Sequence, residues 1–158
     1  MELKIEKKTA KRLFPECPKW FQDVLTENFG KDYFAKRSFE DIKSFNDACE
    51  ECGTTEEEFN KKFGNLGLSD DTIAYEMLKI VVKAIVGDWV ADWNNGNQRK
   101  WAPIFNLSSG FGFSVSSYGC GITTTLCGSR LCFETEAQSN HAATTFIKIY
   151  ERFLTIKK

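Results

Sequence analysis

The chain has 158 residues, enough for one domain with a helical extension. With 42% hydrophobic and 27% charged residues it can build a real core, which excludes a disordered chain. A net charge of −1 excludes a general polycation, and no run approaches the ~20 apolar residues of a membrane span. No apolar leader opens the chain, so the expected setting is a reducing cytosol with the six Cys as free thiols.

Charge is segregated at the start of the chain. Lys4, Lys7, Lys8, Lys11 and Arg12 outnumber Glu2 and Glu6, giving a basic arm. Pro15 and Pro18 bracket a turn, and Pro18 suits the first position of a helix that Gly30 would end. Trp20, Phe21, Val24, Leu25 and Phe29 share one face of it at helical spacing. Ser38 with Asp41 resembles a capping box for a second helix, stopped by Gly53, with Phe39, Ile42, Phe45 and Cys49 as its buried stripe. Thr55 caps a short third helix. An acidic patch runs from Asp47 to Glu58 and includes Glu50, Glu51, Glu56, Glu57 and Glu58.

Ser69 opens the clearest helix. Asp70 and Asp71 favour its N-terminal dipole, Gly87 lies past its end, and Ile73, Met77, Ile80, Val81, Ala84 and Ile85 form the stripe. Its β-branched run makes a strand the rival reading. Beyond the NNGNQ turn, residues 101–129 contain no charged residue or His. That composition predicts short strands near 101–107, 111–117, 121–127 and 130–133. Thr135 and Gln138 then cap a closing helix whose stripe is Ala142, Ala143, Phe146, Ile149, Tyr150 and Phe153. Small residues on its first half allow close approach to the sheet. The expected fold is α+β: a helical N-terminal region over 1–68 and an α+β domain over 69–158, or one compact unit.

Motifs that would carry chemistry are few. Gly110-Phe111-Gly112-Phe113 matches the centre of the strand motif with which RNA-recognition domains stack bases. Ser109, Ser114 and Ser116 replace its basic, aliphatic and last aromatic positions, and the βαββαβ order is missing, so core packing is the better reading. Cys49 and Cys52 have the half-site spacing of a zinc knuckle, but no second pair is spaced to complete it. His141 is the only His and falls mid-helix beside the apolar stripe, with no nucleophile motif to serve. The expectation is a protein that is not an enzyme and needs no cofactor or metal.

The runs Trp89 to Trp93, Asn97-Gln98-Arg99-Lys100-Trp101, Phe111 to Ser114 and Gly128 to Phe133 carry a resemblance. With the first helix they make nearly the whole chain similar to a family of uncharacterised small proteins of Bacteroidetes phages and prophages. The resemblance implies a phage or mobile-element origin and a bacterial host cytosol, and it brings no catalytic or binding residues. Where the family has an aromatic-Ala-Gly step, this chain has His141-Ala142-Ala143. His141 therefore stands where an aromatic packs.

The aromatic share of 14% exceeds what a small core requires and leaves rings for a recognition surface. The leading expectation is a non-enzymatic phage accessory protein that binds a host protein or nucleoprotein, such as a defence complex targeted by an anti-CRISPR-type inhibitor. A nucleic-acid-binding protein of phage replication or packaging and a virion component are the alternatives. The candidate partner-binding residues are Lys7, Lys8, Lys11 and Arg12 in the basic arm, Glu56, Glu57 and Glu58 in the acidic patch, Arg130, and Trp89, Trp93, Arg99 and Lys100 in the 88–100 loop. That loop holds three Trp flanks and alternating charge in a turn that propensity alone does not stabilise.

Overall fold

A computed structural model describes residues 5–35, 37–107, 114–121 and 128–155, with side chains at all of these except 8 and 116–118. The fold is α+β, with helices at both ends of a small antiparallel sheet.

Three helices come first: α1 (Lys7–Leu13), α2 (Lys19–Phe29) and α3 (Lys31–Phe34). Pro18 is the residue before α2 rather than its first, and Gly30 separates α2 from α3 at φ 86, a conformation that glycine adopts without strain. The helices bind one another through rings. Phe14 stacks on Phe34 at 4.0 Å, and Phe29 and Tyr33 pack around Phe34. The shared apolar face of α2 is mostly not buried: Leu25 is, while Trp20 is 68% exposed and Val24 is exposed too.

The expected second helix divides. Residues Phe39–Asp41 form a 3-10 turn, and α4 (Phe45–Glu51) starts afresh at Ser44. The capping box is Ser44 with Asp47, not Ser38 with Asp41, because Ser44 also begins an S-x-x-D step and its hydroxyl reaches the Asp47 amide at 3.1 Å. The helix α5 (Glu56–Phe63) is capped by Thr55, as its sequence predicts, and the structure adds Glu58 as the other half of a capping box. Helix α6 (Asp70–Val86) ends at Gly87, φ 63, which settles the helix-or-strand choice. Its buried face is Ala74, Leu78, Val81, Val82, Ala84 and Ile85; Ile73, Met77 and Ile80 are only partly covered. The stripe is rotated because α4 and α8 flank α6 on two sides.

Strands β1 (Lys100–Asn106) and β2 (Ser114–Gly121) pair antiparallel, with a register shift between Ile104 and Phe105. The expected strand at 111–117 is present from Ser114 and runs on to Gly121, with 111–113 outside the described residues. The one at 130–133 shrinks to a bridge in which Trp101 and Phe133 exchange backbone bonds of 3.0 and 2.8 Å. The strand expected at 121–127 falls, beyond Gly121, outside the described residues. Helix α7 (Glu136–Thr145) has the Thr135–Gln138 capping box, and Ser139, Ala142 and Ala143 are fully covered as it approaches β1 and β2. One closing helix was expected; the chain instead breaks at Phe146 into α8 (Ile147–Leu154). The Thr144 hydroxyl donates back to the Asn140 and His141 carbonyls, which loosens the last turn, and Phe146 drops into the core.

That core joins Phe45 and Phe59 of α4 and α5 to Leu78, Val81, Phe133, Phe146 and Tyr150, with Phe105 packed on Tyr150 at 4.8 Å. An apolar cluster between sheet and closing helix, expected to join Trp101, Phe105, Phe111, Phe113 and Phe133 to Phe146, Tyr150 and Phe153, is present in its described members. Phe133, Phe146 and Tyr150 are buried, and Trp101, Phe105 and Phe153 pack against them partly buried. Phe111 and Phe113 lie outside the described residues. Among the described residues no helix is long and apolar enough to cross a membrane.

Candidate interaction surface

The 88–99 loop is built from side-chain bonds that replace a ladder. Lys83 caps the end of α6 by donating to the Gly87 carbonyl at 2.7 Å. Asp92 Oδ1 accepts from the Asn94 amide and Asn95 Oδ1 from the Asn97 amide, both at 2.9 Å, two Asx turns in succession. Gln98 spans the loop, accepting from the Asp92 amide at 2.6 Å and donating to the Val90 carbonyl at 3.1 Å. The loop is thus self-supporting, although its Asn and Gly content read as disorder-prone.

Lys100 closes it. The sequence placed Lys100 among the partner-facing residues, but its side chain is only 1% exposed. Its ammonium donates to the Gln98 carbonyl at 2.8 Å and the Asn95 carbonyl at 3.3 Å, and lies 5.2 Å from the Trp93 ring centre. Lys100 and Trp93 are therefore a structural pair. At the first position of β1 an inward side chain meets the loop's carbonyls, so burial follows from strand alternation. Arg99, one residue earlier, points out and is exposed.

Two other candidates do meet. Trp89 and Arg130 line one cleft of about 320 Å³ with Lys79, Lys83, Val82, Val86, Val90 and Ala91. Val90 is 73% exposed at its rim. Trp89 is half-buried and Arg130 exposed. The floor is aliphatic, from α6 and the loop, and the rim is cationic. Lys79 is partly neutralised by Glu76 and lies over the Tyr75 ring, so Arg130 and Lys83 set the sign at the mouth.

The charged patches partly satisfy each other. Lys11 bonds Glu51 at 2.8 Å and Arg37 reaches Glu50 at 3.4 Å. Lys7 lies 6.0 Å from the Tyr33 ring centre and, with Lys11, Arg37 and Glu50, borders a cleft of about 390 Å³. Arg12 is exposed, and the side chain of Lys8 is outside the described set. Glu56 and Glu57 are exposed on the first turn of α5. Glu58 instead serves the capping box, accepting from the Thr55 amide and the Thr54 hydroxyl. Trp20 is the exposed aromatic that the sequence reading missed. Lys19, Asp23 and Glu27 interleave with its face, which was the available sign that the helix is wet on that side.

Cys49 is buried in the core, and burial, with the nearby Cys52 thiol, pushes its own thiol up to about 11. Cys52 Sγ donates to the Ile80 carbonyl at 3.6 Å, and its thiol is likewise raised to about 11, by desolvation first and the Glu51 charge second. Among the described residues no group of three or more His, Cys, Asp or Glu is placed to hold a metal ion. His141 donates from Nε2 to the Ile42 carbonyl at 2.9 Å and packs edge-on against Phe39, a structural role on both counts. Comparison of the chain with protein-family models, curated proteins and solved structures finds no match among them.

Proposed function

We propose that the protein is a non-enzymatic accessory protein of phage or mobile-element origin that binds an acidic protein surface of a host complex through the Trp89–Val90–Arg130 cleft. The observation that carries this reading is the cleft itself: an exposed apolar rim residue, a half-buried Trp and a cationic mouth converge from two segments forty residues apart. An apolar centre with a charged edge is the anatomy of a protein-binding patch. The aliphatic floor suits an apolar side chain better than a nucleobase, which would want flat rings on both faces. A defence complex of a bacterial host is the partner class that the phage resemblance supports.

The test is capture from host lysate, with and without nuclease, by the wild-type protein and by Val90→Asp with Arg130→Glu. Both positions are exposed, so folding is unchanged within about 0.5 kcal/mol. A specific partner retained after nuclease and lost by the double variant supports the reading. Capture that vanishes with nuclease, and falls steeply with salt, supports nucleic-acid binding instead. Undiminished capture by the double variant removes this cleft from consideration.

A further inference from the structure

The first three helices are tied to one another by side-chain hydrogen bonds and stacked rings. The Tyr33 hydroxyl donates to the Lys7 carbonyl at 2.9 Å, tying α3 to α1. Gln22 of α2 donates to the Phe14 and Cys17 carbonyls at 3.0 and 3.3 Å, tying α2 to the turn after α1. The Phe14–Phe34 stack and the rings of Phe29 and Tyr33 fill the space among them. None of these residues belongs to the apolar core shared by α4 to α8.

Toward that core the described side-chain bonds are ionic. Its fasteners are the Lys11–Glu51 pair, with both side chains about four-fifths covered, and the Arg37–Glu50 pair. Beside this seam lies a cleft of about 460 Å³. Phe14, Pro15, Phe34 and Ala35 form one wall, and Ala84, Ile85 and Gly87 at the end of α6 form the other. A close-packed joint would leave no such space.

We propose that α1–α3 form a detachable clip, latched to the body by the Lys11–Glu51 and Arg37–Glu50 ion pairs, which opens as a unit and widens the Phe14–Ile85 cleft. Sub-global openings of this kind involve segments with few apolar contacts to their neighbours and a cohesive interior. Because the latch is electrostatic, added salt weakens it, whereas the apolar body is strengthened or unaffected.

Hydrogen exchange read by mass spectrometry tests this on the full chain, using the wild type, Lys11→Glu, Glu51→Lys and the double charge swap. Each single variant replaces attraction by repulsion. The expected result is exchange about tenfold faster across α1–α3, with the amides of α6–α8 unchanged. The swap restores most of the wild-type protection. In the wild type, raising sodium chloride from about 0.05 M to about 0.5 M speeds exchange in α1–α3 selectively. Uniformly faster exchange in every helix would mean that the clip and body open as one unit. Unchanged protection of α1–α3 in both single variants would mean that the ion pairs are not the latch. A swap no better protected than the singles would also overturn the proposal, because it would show damage other than lost pairing.

Discussion

Lys100→Met separates a buried fastener from an exposed contact residue. The substitution keeps most of the side-chain volume and deletes an ammonium that donates to the Gln98 and Asn95 carbonyls and faces the Trp93 ring. Each hydrogen bond to a charged group contributes about 1.5–3 kcal/mol, and the ring contact about 0.5–2 kcal/mol. Two effects reduce the total. Met removes the cost of desolvating a charge, and Asn95 sits at an exposed position where water can reach its carbonyl. The net loss is then about 2 kcal/mol. For a chain of this size that lowers Tm by about 4–8 °C. Thermal unfolding followed by circular dichroism measures it, and Trp emission reports whether Trp93 has lost its partner. Arg99→Glu, next door but exposed, is the control and shifts stability by no more than about 0.5 kcal/mol. If Lys100→Met melts within about 1 °C of wild type with unchanged Trp emission, the closure of the loop by Lys100 is wrong.

Phe133→Ala removes a fully buried ring beside the Trp101 bridge and costs about 3–5 kcal/mol in denaturant unfolding. For Asp47, burial works to raise the carboxyl, but hydrogen bonds from the Ser44 hydroxyl and the Lys43 and Ser44 amides, helped by the Arg37 charge, outweigh it and hold it below the ordinary carboxylate value. A depressed carboxyl contributes stability above its unfolded pKa, and that contribution is lost as pH falls from about 4 through the folded value. Asp47→Asn should therefore be less stable than wild type at pH 7 and lose less on acidification, read from unfolding curves across that range. Protein purified without added metal should contain no stoichiometric zinc by elemental analysis; one zinc per chain, lost in Cys49→Ser, would overturn the structural reading of that pair.

Much of the fold was legible where local chemistry and tertiary context agree. The Thr55 cap, the Thr135–Gln138 capping box and the Gly87 stop each depend on a few adjacent residues, and each stands in the structure. Reading failed where one segment held two competing signals. Ser38 and Ser44 both begin S-x-x-D steps, and only packing of Ile42 and Phe45 into the core chose Ser44. The apolar face of α2 was legible but its cover was not, because spacing reports which residues share a side, not whether anything covers it; Trp20 shows that little does. The candidate surface was half legible. Trp89 and Arg130 were singled out separately, but their convergence depends on how residues 128–132 return past the end of α6, which no local pattern encodes. Lys100 was misplaced because a basic residue beside a Gly-Asn turn ordinarily points to solvent, and here the loop's own carbonyls face inward to receive it.

The Phe105–Tyr150 contact has a consequence for synthesis on the ribosome. Helices α1–α3 complete their mutual contacts as soon as Phe34 has emerged. The body cannot do the same, because Phe45, Phe59 and the apolar face of α6 are covered only when Phe146 and Tyr150 arrive, about a hundred residues after Phe45. At elongation rates of roughly 5–20 residues per second, that leaves the nascent chain with unshielded apolar surface for on the order of ten seconds. Through that interval the growing polypeptide keeps exposed the apolar faces that α8 later covers, so the body closes from its C-terminal side.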